Sequence, residues 1–119
     1  MSIEALWSAV FSDETGPHTA GGVLLLQNGH VHGGDNNYHY QGTYRLEGNR
    51  IRLHLTATHF HGGRNHVVGD RDTFGLNLAG TLADQVMELT GEVEDDAAKK
   101  VTASLQRAAE VPEPGPATV

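Results

Sequence analysis

The sequence predicts an all-β chain folded as an up-and-down antiparallel β-barrel of about eight short strands. Three observations lead there. Residues 38–46 alternate cleanly, with Tyr38, Tyr40, Gly42, Tyr44 and Leu46 on one side and His39, Gln41, Thr43 and Arg45 on the other. That period of two is the mark of a half-buried strand, because successive side chains point to opposite faces. Segments of the same kind recur along the chain, separated by hairpin-length turns such as Asn28-Gly29, where residues of positive φ are cheap. Apart from residues 97–110, no stretch shows amphipathic helical periodicity over ten residues. Sequential strands joined by short turns form a meander, and closing it removes the edges at which strands of different molecules pair.

Residues 5–11, ALWSAVF, are the first strand. Leu6, Ser8 and Val10 face one way, and Ala5, Trp7, Ala9 and Phe11 the other. Both faces carry apolar groups, and one barrel can bury only one of them. The other needs a loop, the chain's tail or a second subunit, which makes Trp7 and Phe11 candidate contacts of a homodimer. Residues 12–22 read as a polar loop with Gly and Pro, and 23–27, VLLLQ, as a short apolar strand ending at Asn28-Gly29. His30–His32 is a brief rung before the turn at Gly33-Gly34-Asp35, and the tyrosine strand follows.

The chain reverses over residues 46–50 into the strand at 50–60, where Ile51, Leu53, Leu55, Ala57 and His59 point inward. Residues 61–70 form a loop long enough to serve as a flap over one end. Strands at 72–82 and 86–93 place Phe74, Leu76, Leu78, Met87, Leu89 and Val93 inside, with a turn at 83–85. An acidic turn at 94–96 leads to a closing strand at 99–108 with Val101, Ala103 and Leu105 inside. A helix also suits 97–110, since Val101, Leu105 and Ala108 fit its spacing and the residues are good helix formers. A strand is preferred there because the barrel has to close. The chain is therefore one domain, 1–108, with a disordered Pro-rich tail at 109–119.

Composition narrows the function. The 119 residues include no Cys, which excludes a disulfide framework and a thiolate zinc site. No apolar run approaches the roughly 18–20 residues of a membrane span, and the first residues lack the basic start and apolar stretch of a signal peptide. A cytoplasmic protein with no membrane role is expected. The net charge of −7 argues against nucleic acid as a direct partner, since neutralising phosphates needs a basic patch.

Eight histidines raise the question of a metal. His30/His32 and His59/His61 each have the His-x-His spacing that puts two rings on one strand face, and His39, His54 or His66 is the candidate third ligand. Neither pair encloses an acidic ligand or base, so no metal and no cofactor are expected, and zinc should bind weakly or not at all. There is no Gly-x-Ser-x-Gly setting and no Cys nucleophile. Asp70, Arg71 and Asp72 read as a solvated junction, and Glu92, Glu94, Asp95 and Asp96 lack the spaced oxygen ligands of a calcium loop. No catalytic residue is assigned, and a non-enzymatic protein is expected. Beside a third reading, a metal-dependent enzyme acting through the His-x-His pairs, two binding modes stand first. One is recognition of a protein. The other is capture of a small apolar ligand inside the barrel, with Tyr38, Tyr40, Tyr44 and His59 as polar points in an apolar pocket.

Several of these segments, taken together, carry a resemblance. They are Leu6-Trp7-Ser8-Ala9-Val10-Phe11, the Gly-rich approach to Val23, Asn28-Gly29, Gly33-Gly34-Asp35, Tyr40-Gln41-Gly42, and Ile51 with Leu53-His54. In this order, over roughly half the chain, the sequence resembles the negative-regulator family of type III secretion (GrlR-like proteins). The resemblance implies a small lipocalin-like (calycin) barrel, commonly a homodimer, that holds a transcriptional activator protein inactive. The namesake regulator carries an acidic Glu-Asp-Glu-Asp run at the turn after the Gln-Gly strand. This chain has Leu46-Glu47-Gly48-Asn49-Arg50 there, with one acid and one base.

Overall fold

A computed structural model describes residues 3–13, 19–63 and 71–111. The chain forms strands β1 (Ala5–Asp13), β2 (Thr19–Gln27), β3 (His30–Gly34), β4 (Tyr38–Glu47), β5 (Arg50–His59), β6 (Thr73–Ala83), β7 (Val86–Val93) and β8 (Asp96–Glu110). Each strand pairs antiparallel with the next, and β8 returns to β1, so the sheet is a closed up-and-down barrel of the lipocalin-like kind. No described segment is a helix, and none is therefore a helix long and apolar enough to cross a membrane.

Period-two alternation sorts the side chains. Ile51, Leu53, Leu55 and Ala57 of β5 are buried, as are Phe74, Leu76 and Leu78 of β6, Met87, Leu89 and Val93 of β7, and Val101, Ala103 and Leu105 of β8. Arg52, Asn77, Glu88, Thr90, Thr102 and Ser104, which alternate with them, are exposed. The apolar inside and polar outside are the reverse of a barrel that crosses a membrane with its strands.

The first strand settles which of its faces is core. Trp7 is fully buried (0% exposed) and Phe11 nearly so (3%), both within the hydrophobic cluster of the interior. The Trp7 indole N–H donates to the Ile3 carbonyl at 3.0 Å, and the Arg107 guanidinium lies 4.9 Å from the ring centroid. An interface made by Trp7 and Phe11 is thus corrected: these side chains are spent on the chain's own core. The apolar groups of β1 that face outward are Leu6, half-buried, and Val10, 49% exposed.

Other boundaries move for local reasons. The ladder between β1 and β2 runs from Ala5/Leu26 to Ser12/Thr19, so residues 19–22 of the expected loop are strand. Gly21 and Gly22 simply continue the extended backbone opposite Val10 and Ala9. β8 is longer than 99–108. At its start the register shifts between Glu92/Lys100 and Val93/Asp96, which pushes Ala97, Ala98 and Lys99 out as exposed residues. Near its end Leu6 pairs with Ala109 but Trp7 with Arg107, leaving Ala108 as an unpaired bulge residue. Residues 109–110, expected in the tail, therefore belong to the barrel. The rest of the Pro-rich tail (112–119), most of the possible flap (64–70) and residues 14–18 lie outside the described residues.

Neighbouring strands approach closest at inward glycines. A Cβ on Gly42 would strike the His54 carbonyl oxygen of β5, and one on Gly91 would strike the Asn77 carbonyl oxygen of β6. The obstacle in both cases is backbone, which cannot swing away like a side chain. Gly91→Ala is expected to destabilise the barrel by about 1–3 kcal/mol, as overpacking does. Urea unfolding of the variant beside wild type measures this, and an unchanged midpoint would show that the wall yields freely.

Candidate functional site

The turns at the two ends differ in length. Tight links at 28–29, 48–49 and 84–85 close one end. There Asn28 (φ 56°), Gly29 (φ 81°), Gly48 (φ 62°) and Asp84 (φ 58°) take the left-handed backbone of two-residue hairpins. The opposite end holds the longer connections, at 35–37 and 60–72, with the 94–95 turn beside them. This is the mouth, and it contains most of the polar side chains singled out from the sequence.

Asp35 organises the mouth. Its Oδ1 accepts hydrogen bonds from the Asn37 N–H (2.8 Å) and the Tyr38 N–H (2.7 Å), the local turn that short carboxylates favour. Its Oδ2 accepts the Tyr40 hydroxyl at 2.5 Å. The Tyr38 hydroxyl crosses to the next loop and donates to the Arg71 carbonyl at 2.7 Å. The Tyr38 ring meets Phe74 and His59 edge-on, with centroids 5.5 and 5.2 Å apart. His59 Nε2 is 2.8 Å from the Gly62 carbonyl, and the Asn37 side-chain amide donates to the His61 carbonyl at 3.0 Å. Arg71 makes two parallel hydrogen bonds to Asp95, at 2.7 and 2.8 Å, linking the 60–72 loop to the β7–β8 turn. That fork holds the exposed Asp95 carboxyl below its usual range and the Arg71 guanidinium above its own.

These contacts change what the tyrosines can do. Tyr38 and Tyr40 lie on the inward row, buried, but their hydroxyls are committed to Arg71 and Asp35. Tyr44 is only half-buried, packed on the core edge, and Leu46 at the end of the same row is 36% exposed. Tyr38, Tyr40 and His59 are thus brought together at the mouth, and Tyr44 lies further along the strand toward the closed end.

Burial, and then the bond to Asp35, hold the Tyr40 phenol protonated far above its ordinary range. In the unfolded chain it titrates near about 10. The folded pKa is the raised one, so the stabilisation is complete below about pH 10 and shrinks above it, where only the unfolded chain releases the proton. Tyr40→Phe is expected to remove this part of the alkaline loss. It should also cost about 1–3 kcal/mol at neutral pH by stranding a carboxylate oxygen. Urea unfolding of both proteins at about pH 8 and about pH 11 checks it; parallel losses in the two would show that Tyr40 does not carry the slope.

The histidines separate. His30 and His32 are on the outer face of β3, with ring centroids 6.4 Å apart. His39 is also outside, beside the exposed Phe60 at 6.2 Å. His54 pairs with Glu94 across Gly75 (2.9 Å), where a Cβ would collide with the Glu94 side chain. His59 faces inward, whereas His61 lies in the exposed bend beyond β5. Among the described residues no three His, Asp or Glu side chains are grouped to hold a metal ion, and His66 lies outside them.

Two features of the outer wall were not read as sites from the sequence. The first is an aliphatic face across β1 and β2. Leu6 pairs with Leu25 and Ser8 with Val23, and Val10 lies one pair further along. Val10 and Val23 are 49% and 42% exposed. The uninterrupted VLLLQ run was its signal, because a half-buried strand would alternate. The second is a cleft of about 230 Å³ formed by Arg45, Glu47, Arg50 and Arg52 at the β4–β5 turn. No protein-family model matches the chain, and no curated protein matches it.

Proposed function

We propose that this chain is a non-enzymatic protein-binding barrel that works through its outer wall and pairs with a second copy across β1 and β2. The observation that carries this reading is the outward face of Leu6, Val10, Val23 and Leu25, set against an interior filled by Trp7, Tyr38, Leu24, Leu26, Leu55 and Met87, all 0% exposed. Aliphatic groups on the wall gain by leaving water, at roughly 25 cal/mol per Å², and a symmetric pair lets one patch cover its own copy. The mouth supports the same reading, since its tyrosine hydroxyls are bonded within the chain. The resemblance to the negative regulators of type III secretion supplies the role: holding a transcriptional activator protein inactive, in the cytoplasm. The net charge of −7 is in keeping with a protein partner rather than direct contact with nucleic acid.

Sedimentation tests the pairing. Wild type at tens of micromolar is expected to run as a dimer, and Val10→Asp as a folded monomer, because a carboxylate buried at the contact would be unpaired. A monomeric wild type would overturn the reading, and a dimer indifferent to Val10→Asp would take the contact away from this face.

A further inference from the structure

At the closed end of the barrel, three arginines and one carboxylate, Glu47, line one cleft, an excess of two positive charges. Arg45 on β4 pairs directly with Arg52 on β5, and Arg50 pairs with Glu47 one step nearer the turn. Directly opposed like charges on one face of an antiparallel pair repel. Three of the chain's eight Lys and Arg residues lie in these eight positions, although the chain as a whole carries −7. Arg71 is joined to Asp95 and Lys100 to Glu92, at 2.7 and 2.9 Å. Among the described residues no ion pair or hydrogen bond satisfies Arg45, Arg50 or Arg52.

The backbone keeps the arginines together. Gly48, at φ 62°, completes a two-residue reversal that leaves no slack between β4 and β5. The Asn49 carbonyl accepts the Leu82 N–H at 2.7 Å and ties the tip to the end of β6. The guanidinium groups therefore line a cleft of about 230 Å³ on a rigid hairpin.

We infer that this cleft binds an acidic peptide segment of a partner protein, with the arginines receiving its carboxylates. The inference rests on the reading of the chain as a protein-binding barrel and names the chemistry of its partner. Guanidinium forks match carboxylate geometry with two parallel hydrogen bonds. Three guanidinium groups spread over two strands suit several carboxylates along a peptide, and Glu47 among them disfavours a single dense anion. Nucleic acid fits less well, because three arginines on a strongly acidic chain do not make the extended basic track a phosphate backbone needs.

Fluorescence anisotropy with the full chain and a labelled peptide of alternating Glu and Gly tests it. Saturable binding is expected at low salt, weakening several-fold when salt is raised to physiological strength. Arg45→Gln/Arg52→Gln should lose at least about tenfold in affinity, while its urea midpoint stays level or rises as the repulsion is relieved. Val10→Asp, which probes the other face, should bind the peptide like wild type, so that failure of the dimer and failure of this cleft are told apart. Equal affinity of the double variant and wild type would overturn the inference, as would the absence of binding at low salt. Tighter binding of inorganic phosphate or of a single-stranded oligonucleotide than of the peptide would overturn it too.

Discussion

Trp7→Ala is expected to destabilise the barrel by about 3–5 kcal/mol, the cost of removing a large aromatic from a packed interior. Trp7 is the largest fully buried side chain, and it links three parts of the fold. Its ring lies among the inward residues, its N–H holds the Ile3 carbonyl, and Arg107 of β8 covers it. Deleting the indole opens a void and strands that carbonyl. The same variant separates a core role from an interface role. If Trp7 were a contact between subunits, the substitution would dissociate a dimer and leave the subunit's urea midpoint where it was. Loss of the midpoint at a protein concentration where the oligomeric state is unchanged is the result expected here.

Leu53→Ala should cost about 2–5 kcal/mol, while Arg52→Ala, one position away, should cost under about 0.5 kcal/mol. Leu53 is 2% exposed and pairs with Leu78, whereas Arg52 points out to solvent. The comparison is sensitive to register, because sliding β5 by one residue would exchange the two faces. Equal losses in urea unfolding would contradict the inward row at Ile51, Leu53 and Leu55. The Arg52 variant also relieves the repulsion with Arg45, so a small gain in stability is compatible with the fold.

The inward rows of β5, β6 and β7 were legible in the sequence because each alternates bulky aliphatic residues with polar ones. Where both faces are apolar, period two cannot say which goes in. On β1 the decision falls to bulk and to the neighbouring strand: Trp7 pairs with Leu24 and Ala5 with Leu26, both fully buried, while Ser8 pairs with the exposed Val23. Residues 19–22 looked like loop because composition there is small and polar, and only pairing with β1 makes them strand. The helical spacing of Val101, Leu105 and Ala108 was a coincidence that the bulge at Ala108 exposes. At the mouth, the tyrosine row and His59 were visible as a face. The bond from Tyr38 to Arg71 was not, since it joins side chain to backbone across 33 positions of sequence. The facing of Arg45 and Arg52 follows from a two-residue turn at Gly48-Asn49, but it becomes a site only when Arg50 is seen to line the same cleft with Glu47 as its one carboxylate.

The seam between β1 and β8 sets the order in which the molecule can be completed. It joins residues 5–13 to residues 101–110, nearly the full length of the described chain. Contacts so far apart in sequence form slowly, because the entropy of bringing the ends together is lost before any pairing repays it. During synthesis the last strand is also the last to leave the ribosome. Until it docks, β1 and β7 each present an open row of N–H and C=O groups, and Trp7 lacks the Arg107 that covers it. A nascent chain halted short of β8 is therefore the form most prone to join another copy edge to edge. Among the described residues the finished barrel has no open edge with which to do so.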